Sequence, residues 1–274
     1  MERTPRRGLH TGLDVVARSV RVQDIARPLP RVDAAWDVSD IQIELGEHQA
    51  WFGLVVDGRQ TVGYIALDDH GEGESASSIA LPLHSDLLIE ESMPVVELLG
   101  LFRRNAFFFA IRGNSVVSVV SWLDVDCPLG RVVFAARVME LEYALNDLLQ
   151  PHEAAALGCL SAARLAKARE LHALKTELGK ATRAVRGSSL ISCLTLADKA
   201  TAARKLMAEQ ARSTWAGPVT FRAALQLIER VRNITAHGNS LFGVVSAPAQ
   251  LSEVLDVVEY ATKWIREGRV GGEA

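Results

Sequence analysis

Residues 51–69, WFGLVVDGRQTVGYIALDD, align on residues 106–124, AFFFAIRGNSVVSVVSWLD, without a gap at an offset of 55. Phe52 falls on Phe107, Gly58 on Gly113, Val62 on Val117, Gly63 on Ser118 and Asp69 on Asp124. A fixed offset held over such a stretch means one supersecondary unit used twice. In each copy, β-branched and aromatic runs flank a turn, at Asp57-Gly58 and at Gly113, and each pair reads as a hairpin. Ahead of each hairpin, apolar residues recur at helical spacing. Asp33 is expected to cap a segment carrying Val38, Ile41 and Leu45. Pro94 opens a second one with Val95, Leu98, Leu99 and Phe102 on one face. Short proline-bearing extended pieces, IARPLPRV and IALPLHSD, precede the two helices. The unit is strand–helix–strand–strand, twice. Neither copy can bury its apolar strands alone, so the two are expected to pack as a pseudo-twofold pair.

Each copy closes on a recurring pattern: Gly63, Ala66 and Asp69 in the first, Ser118, Ser121 and Asp124 in the second. With the strands and turns before it, this pattern resembles a tandem CBS-domain module over roughly residues 18–130. The resemblance implies an adenosine nucleotide in the cleft between the copies, its phosphate and ribose met by Ser121, Asp124 and Asp69. The first copy departs from the pattern, because Ala66 brings no hydroxyl. The chemistry is sound without the family: a carboxylate accepts both ribose hydroxyls, and a hydroxyl donates to a phosphate oxygen. Asp124 also has a plainer reading, as a residue that caps or turns the chain ahead of Pro128.

Charge divides the chain. Residues 33–97 hold fourteen Asp and Glu against one basic residue, Arg59, whereas residues 161–212 hold eleven Lys and Arg against four acids. Two modules with different partners are expected. The acidic first half disfavours a highly charged polyphosphate and suits a smaller ligand. The basic second half would draw a polyanion through Arg164, Lys167, Arg169, Lys175, Lys180, Arg183 and Arg186; the plainer reading of those residues is a solvated helix face. The three cysteines, Cys127, Cys159 and Cys193, fit no metal or redox spacing and read as reduced thiols of a cytoplasmic protein. No signal peptide or membrane span is expected, and no metal or cofactor.

From Pro128 onward the apolar period changes to about 3.6. Phe134, Val138, Leu141, Leu145 and Leu148 share one face, and further helical patterns follow, five in all, as an α-bundle. The fourth is expected to carry Phe221, Leu225, Leu227, Ile228, Val231 and Ile234 or Thr235 inward and ends in RVRNITAHGN at Gly238. Arg232 and His237 lie about 140° apart on a regular helix, while Asn233 shares the histidine's face. A lone histidine at a helix C-terminus is favoured by the helix dipole alone.

The arrangement of Arg232, Asn233 and His237 late in a five-helix domain resembles the HEPN family over about residues 131–267. That resemblance implies a metal-independent endoribonuclease acting as a dimer, with these three residues catalytic. Histidine would move protons at neutral pH, and arginine would fork onto phosphate. One histidine per chain is thin for both acid and base, so a homodimer through this domain is expected.

The chain is thus expected to be α+β: a flexible N-terminus (1–17), a tandem CBS-like β-α-β-β pair (18–130), an all-α HEPN-like helical bundle (131–267) and a tail (268–274). The joint functional expectation is a CBS-like nucleotide sensor that regulates RNA cleavage. The alternatives are a non-catalytic nucleotide-binding or dimerisation protein without ribonuclease activity, and a purely structural adaptor.

Overall fold

The computed structural model describes residues 7–67, 74–182 and 189–267. The chain is α+β and divides into two compact units, Arg18–Gly130 and Met1–Ala17 with Arg131–Ala274. Residues expected to form a flexible N-terminus include helix α1 (Arg7–Ser19). Its Asp14 carboxylate lies 2.9 Å from the Arg137 guanidinium, an anchor that the sequence pattern did not reveal.

Within Arg18–Gly130, the first copy contains β1 (Arg27–Pro28), β2 (Arg31–Asp33), α2 (Val38–Glu47), β3 (Phe52–Asp57) and β4 (Gln60–Ala66). A short helix α3 (Ala76–Ile79) leads to the second copy: β5 (Leu88–Glu90), α4 (Val95–Leu101), β6 (Phe107–Arg112) and β7 (Ser115–Ser121). The hairpin strands keep the offset of 55 down to the irregularity in pairing, which falls between Val55 and Val56 in one copy and between Ala110 and Ile111 in the other. Both turns have two central residues, the first a glycine with positive φ, +57° at Gly58 and +60° at Gly113. A side chain there would meet the left-handed penalty that glycine escapes. The helices begin 57 positions apart, at Val38 and Val95, and α4 is three residues shorter than α2, so the second copy reaches its hairpin sooner. Asp37, rather than Asp33, caps α2 by accepting from the Asp40 amide, while Asp33 turns back onto the Ala35 amide.

The copies exchange edges. β1 of the first copy pairs antiparallel with β7 of the second, Arg27 opposite Val119. Leu81, on the extended piece before the second copy, bridges antiparallel to Tyr64 of the first. Tyr64 and Val119 are equivalent positions, so each copy completes the other's sheet. The resulting sheets run β1-β7-β6-β5 and β2-β3-β4. Gly63 permits the Leu81 crossing, because a Cβ there would stand 2.3 Å from the Leu81 carbonyl oxygen. The first copy closes its core with Val32, Ile41, Leu45, Val55 and Ile65. Between the copies, Tyr64, Leu87, Phe109 and Val119 form an apolar cluster against which Phe52 and Phe107 pack.

The other unit continues through α5 (Pro128–Leu149), α6 (Glu153–Gly158), α7 (Ala162–Thr182), α8 (Leu196–Leu206), α9 (Ala208–Thr214), α10 (Phe221–His237) and α11 (Pro248–Glu267). The sequence allows an interruption near Gly158 and a pair of helices in place of the third; both occur, with breaks after Gly158 and at Met207, so more than five helices form among the described residues. The α5 face named from the sequence, from Phe134 to Leu148, is buried throughout. Arg137 of α5 is buried among carboxylates: its Nη1 lies 3.0 Å from Glu140, and its Nε, which makes no hydrogen bond, lies 3.5 Å from Glu259. Burial alone would lower the Arg137 pKa. Hydrogen bonds to Glu140 and Asp14, with the charges of Glu259 and Glu140, raise it instead. No helix among the described residues is long and apolar enough to cross a membrane.

Candidate functional site

A cleft of about 440 Å³ opens between the two copies of the Arg18–Gly130 unit. The turn after α2 supplies His48, Gln49 and Trp51; the second copy supplies Ser121, Trp122 and Asp124; Arg27 reaches in from the exchanged strand β1. Phe52 and Phe107 also line it, their rings 4.3 Å apart and 33° from parallel. Trp51 is 63% exposed, an indole left in water beside an aromatic wall. Gln49 is the one non-glycine residue among those described with positive φ, at +48°. It ends α2 in the conformation that glycine usually supplies, and it does so at the cleft wall.

The polar end of the cleft is a tight cluster. Asp124 Oδ2 accepts from the backbone amide of Ser121 and from its hydroxyl, both at 2.7 Å. Asp124 Oδ1 accepts from Arg27 Nε. The carboxylate is nearly fully buried, whereas the Arg27 side chain is 54% exposed. The cluster therefore holds a buried anion that fixes one side of a guanidinium left half in water. An apolar, aromatic slot with one oriented cation at its end suits a flat heterocycle carrying an anionic group.

Of the residues singled out in the sequence, Ser121 and Asp124 come together here, but they bond to each other. Asp124 acts as the residue that closes a capping box on Ser121, the plainer of its two readings, and as the anchor of Arg27. Asp69 lies outside the described residues. Arg27 escaped sequence reasoning because only the edge exchange brings it to β7. The quasi-equivalent positions in the other half hold Leu81 in place of Arg27 and Ala66 in place of Ser121, so the cation and hydroxyl are present on one side alone.

On α10 the helix stays regular through His237 and ends on Gly238, whose φ of +68° closes it. Arg232 is half-buried and Nη1 reaches the side-chain oxygen of its neighbour Asn233 at 3.4 Å. Asn233 and His237 are exposed. Arg131 donates to the Gly238 carbonyl at 2.6 Å and brings a second guanidinium to the residue next to His237. Of the basic stretch, Arg164 pairs with Asp198 at 3.2 Å, and Lys175 donates to the Ser192 carbonyl at 3.3 Å. Arg183 and Arg186 lie outside the described residues, as does the tail.

No family model matches the chain, and no curated protein matches it. Solved structures give a partial likeness. One is the CBS domain of the bacterial CNNM/CorC family Mg2+ transporter in complex with ATP, 16% identical at a TM-score of 0.35, covering 47% of this chain and 97% of that one. Another is the same transporter's CBS domain, 18% identical at 0.34, covering 48% of this chain and 85% of that one. Scores this low carry no weight for function, which is read from the cleft.

Proposed function

We propose that the chain is a ligand-sensing protein whose Arg18–Gly130 unit binds an adenosine-type nucleotide of low charge in the cleft between its two copies. The observation that carries this reading is the oriented Arg27: a half-exposed guanidinium anchored by the buried Asp124 carboxylate at the end of an aromatic slot. The base would lie against Phe52, Phe107 and Trp51, and the phosphate would meet the exposed side of the Arg27 guanidinium. The repeat and its closing pattern, which resemble a tandem CBS-domain module, support the same ligand class. The acidic balance of residues 33–97 favours a monophosphate over a triphosphate.

Isothermal titration of the full chain with adenosine, AMP, ADP and ATP tests this reading. AMP is expected to bind best, and Arg27→Gln to weaken it by roughly tenfold or more, as the loss of one charge-assisted hydrogen bond requires. Absence of binding by all four overturns the proposal. Arg27→Gln is the informative variant because Asp124→Ala would also remove a cap.

The ribonuclease reading needs Arg232, Asn233 and His237 on one phosphate. Arg131 at the end of α10 speaks for it, since it adds a cation there. Against it, Arg232 bonds to Asn233, and a regular helix keeps His237 about 140° away. Within a single chain the cleft is the better-supported site.

A further inference from the structure

α7 has 21 residues, yet among its described side chains only Ala168 is buried. Leu165, His172 and Thr176 are half-buried on the same side as Ala168. A different face carries Leu171, Leu174 and Leu178, which are 41%, 58% and 65% exposed. Their spacing of three and then four residues is that of a two-stranded helical seam. Long helices owe most of their stability to packing of an apolar face, and this one leaves Leu174 and Leu178 mostly in water, with Leu171 and Leu174 also at the rim of a groove shared with Thr195 and Ala197.

We infer that this face is where a second copy of the chain docks, α7 against α7 in parallel. Charge decides between a second copy in either direction. A rotation of ~100° per residue puts Glu170 on one flank of the leucine stripe and Lys175 on the other. In a parallel pair, Glu170 of one copy faces Lys175 of the other, five positions on, the flanking relation that selects partners in coiled coils. In an antiparallel pair centred on Leu174, Glu170 would meet Glu177 and Lys175 would meet its own copy, like against like. Lys167 stands on the same face one turn before Leu171 and would confront itself, so it ends the seam. The dimer is therefore short-seamed and concentration-dependent. Lys175 leaves its exposed 3.3 Å contact with the Ser192 carbonyl at little cost.

Sedimentation velocity of the full chain over a concentration series tests the seam. A monomer–dimer equilibrium is expected, and Leu174→Glu raises its dissociation constant by roughly tenfold or more. Circular dichroism keeps the result interpretable, because an exposed leucine is replaced and the helical signal stays. Direction is read from Leu178→Cys: in a parallel pair it cross-links to itself under mild oxidation, beyond any background from the native cysteines. Glu170→Lys and Lys175→Glu each weaken association, and the double reversal restores it. A chain that stays monomeric at its highest soluble concentration overturns the inference, as does a dimer indifferent to Leu174→Glu. So does a monomer that binds a single-stranded RNA probe through Lys167 and Lys175 alone, which would make this face a polyanion surface.

Discussion

Phe52 and Phe107 occupy the same place in the two copies, and their rings stack across the join at 4.3 Å. Around them Tyr64 and Phe109 complete the packing, with centroids 4.8 Å apart. The stack is both the roof of the copy–copy core and a wall of the cleft, so its energy couples the fold to the site. Replacing either ring by Ala should cost about 2–4 kcal/mol, somewhat below the cost for fully buried phenylalanines because both are only half-buried. The double variant should cost less than the two singles together, by about 1 kcal/mol, the coupling of an aromatic pair. Chemical denaturation of the four proteins measures it. Strict additivity would show that the two rings do not interact.

The hairpins were legible because their causes are local: Gly58 and Gly113 sit between β-branched runs, and each takes the positive φ its turn requires. The copy–copy cluster was foreseen in outline, since strands apolar on both sides cannot stand alone. What stayed hidden is non-local. Nothing in the spacing of Arg27 reports that it pairs with Val119, or that Leu81 crosses Tyr64 in return. Without that exchange the cleft lacks its cation, and nothing local tells that the Asp124 carboxylate is shared between Ser121 and Arg27. The displacement of the α2 cap from Asp33 to Asp37 has a similar cause: both can cap, and the pairing of β2 with β3 through Asp33 leaves Asp37 to do so. In the helical half, periodicity found the buried faces of α5 and α10. It could not say that the Leu171 stripe would be left uncovered, because exposure depends on what the rest of the unit covers.

Gln49 ties strain to the site. A non-glycine residue at φ +48° costs about 1 kcal/mol against glycine, and such cost persists where surroundings or function hold it. Gln49→Gly should therefore stabilise the protein by about 0.5–1 kcal/mol while removing a polar side chain from the cleft wall. Thermal melts with and without AMP separate the two effects: a higher melting temperature for the free variant, but a smaller upward shift on ligand addition. A variant less stable than wild type would mean that the Gln49 side chain contributes more to the fold than its backbone costs.

Two carboxylates are expected to contribute to the acid sensitivity of the Arg18–Gly130 unit. The Asp40 amide donates to Asp37 and holds its pKa below the ordinary carboxylate value. Arg112, hydrogen-bonding both oxygens of Glu91, does the same there. A carboxylate whose pKa is depressed in the folded state stabilises at pH values above its unfolded pKa, and that contribution is lost as pH falls through the folded value. Melting temperature should thus hold down to about pH 5 and drop below about pH 4. Asp37→Asn keeps an acceptor for the cap but cannot titrate, and with Glu91→Gln it should flatten the acid limb. An unchanged slope in the double variant would assign the acid sensitivity to other groups.

The end of α10 allows a sharp test of the ribonuclease reading. Metal-independent cleavage of RNA needs a proton acceptor and donor plus a guanidinium on the same phosphate, at hydrogen-bond distance. His237 is exposed, Arg232 is half-buried against Asn233, and the regular helix between them turns the two side chains apart. Arg131 is spent in part on the Gly238 carbonyl. A group that must move before it can act gives away much of the advantage of prior positioning. Purified chain incubated with total RNA, without added metal, is therefore expected to leave it intact, and His237→Ala to give the same pattern as wild type, with or without AMP. Cleavage by wild type that disappears in both His237→Ala and Arg232→Ala would show that a second copy assembles what one chain leaves apart. Running the same assay on Leu174→Glu would then tell whether the α7 seam is the contact that does it.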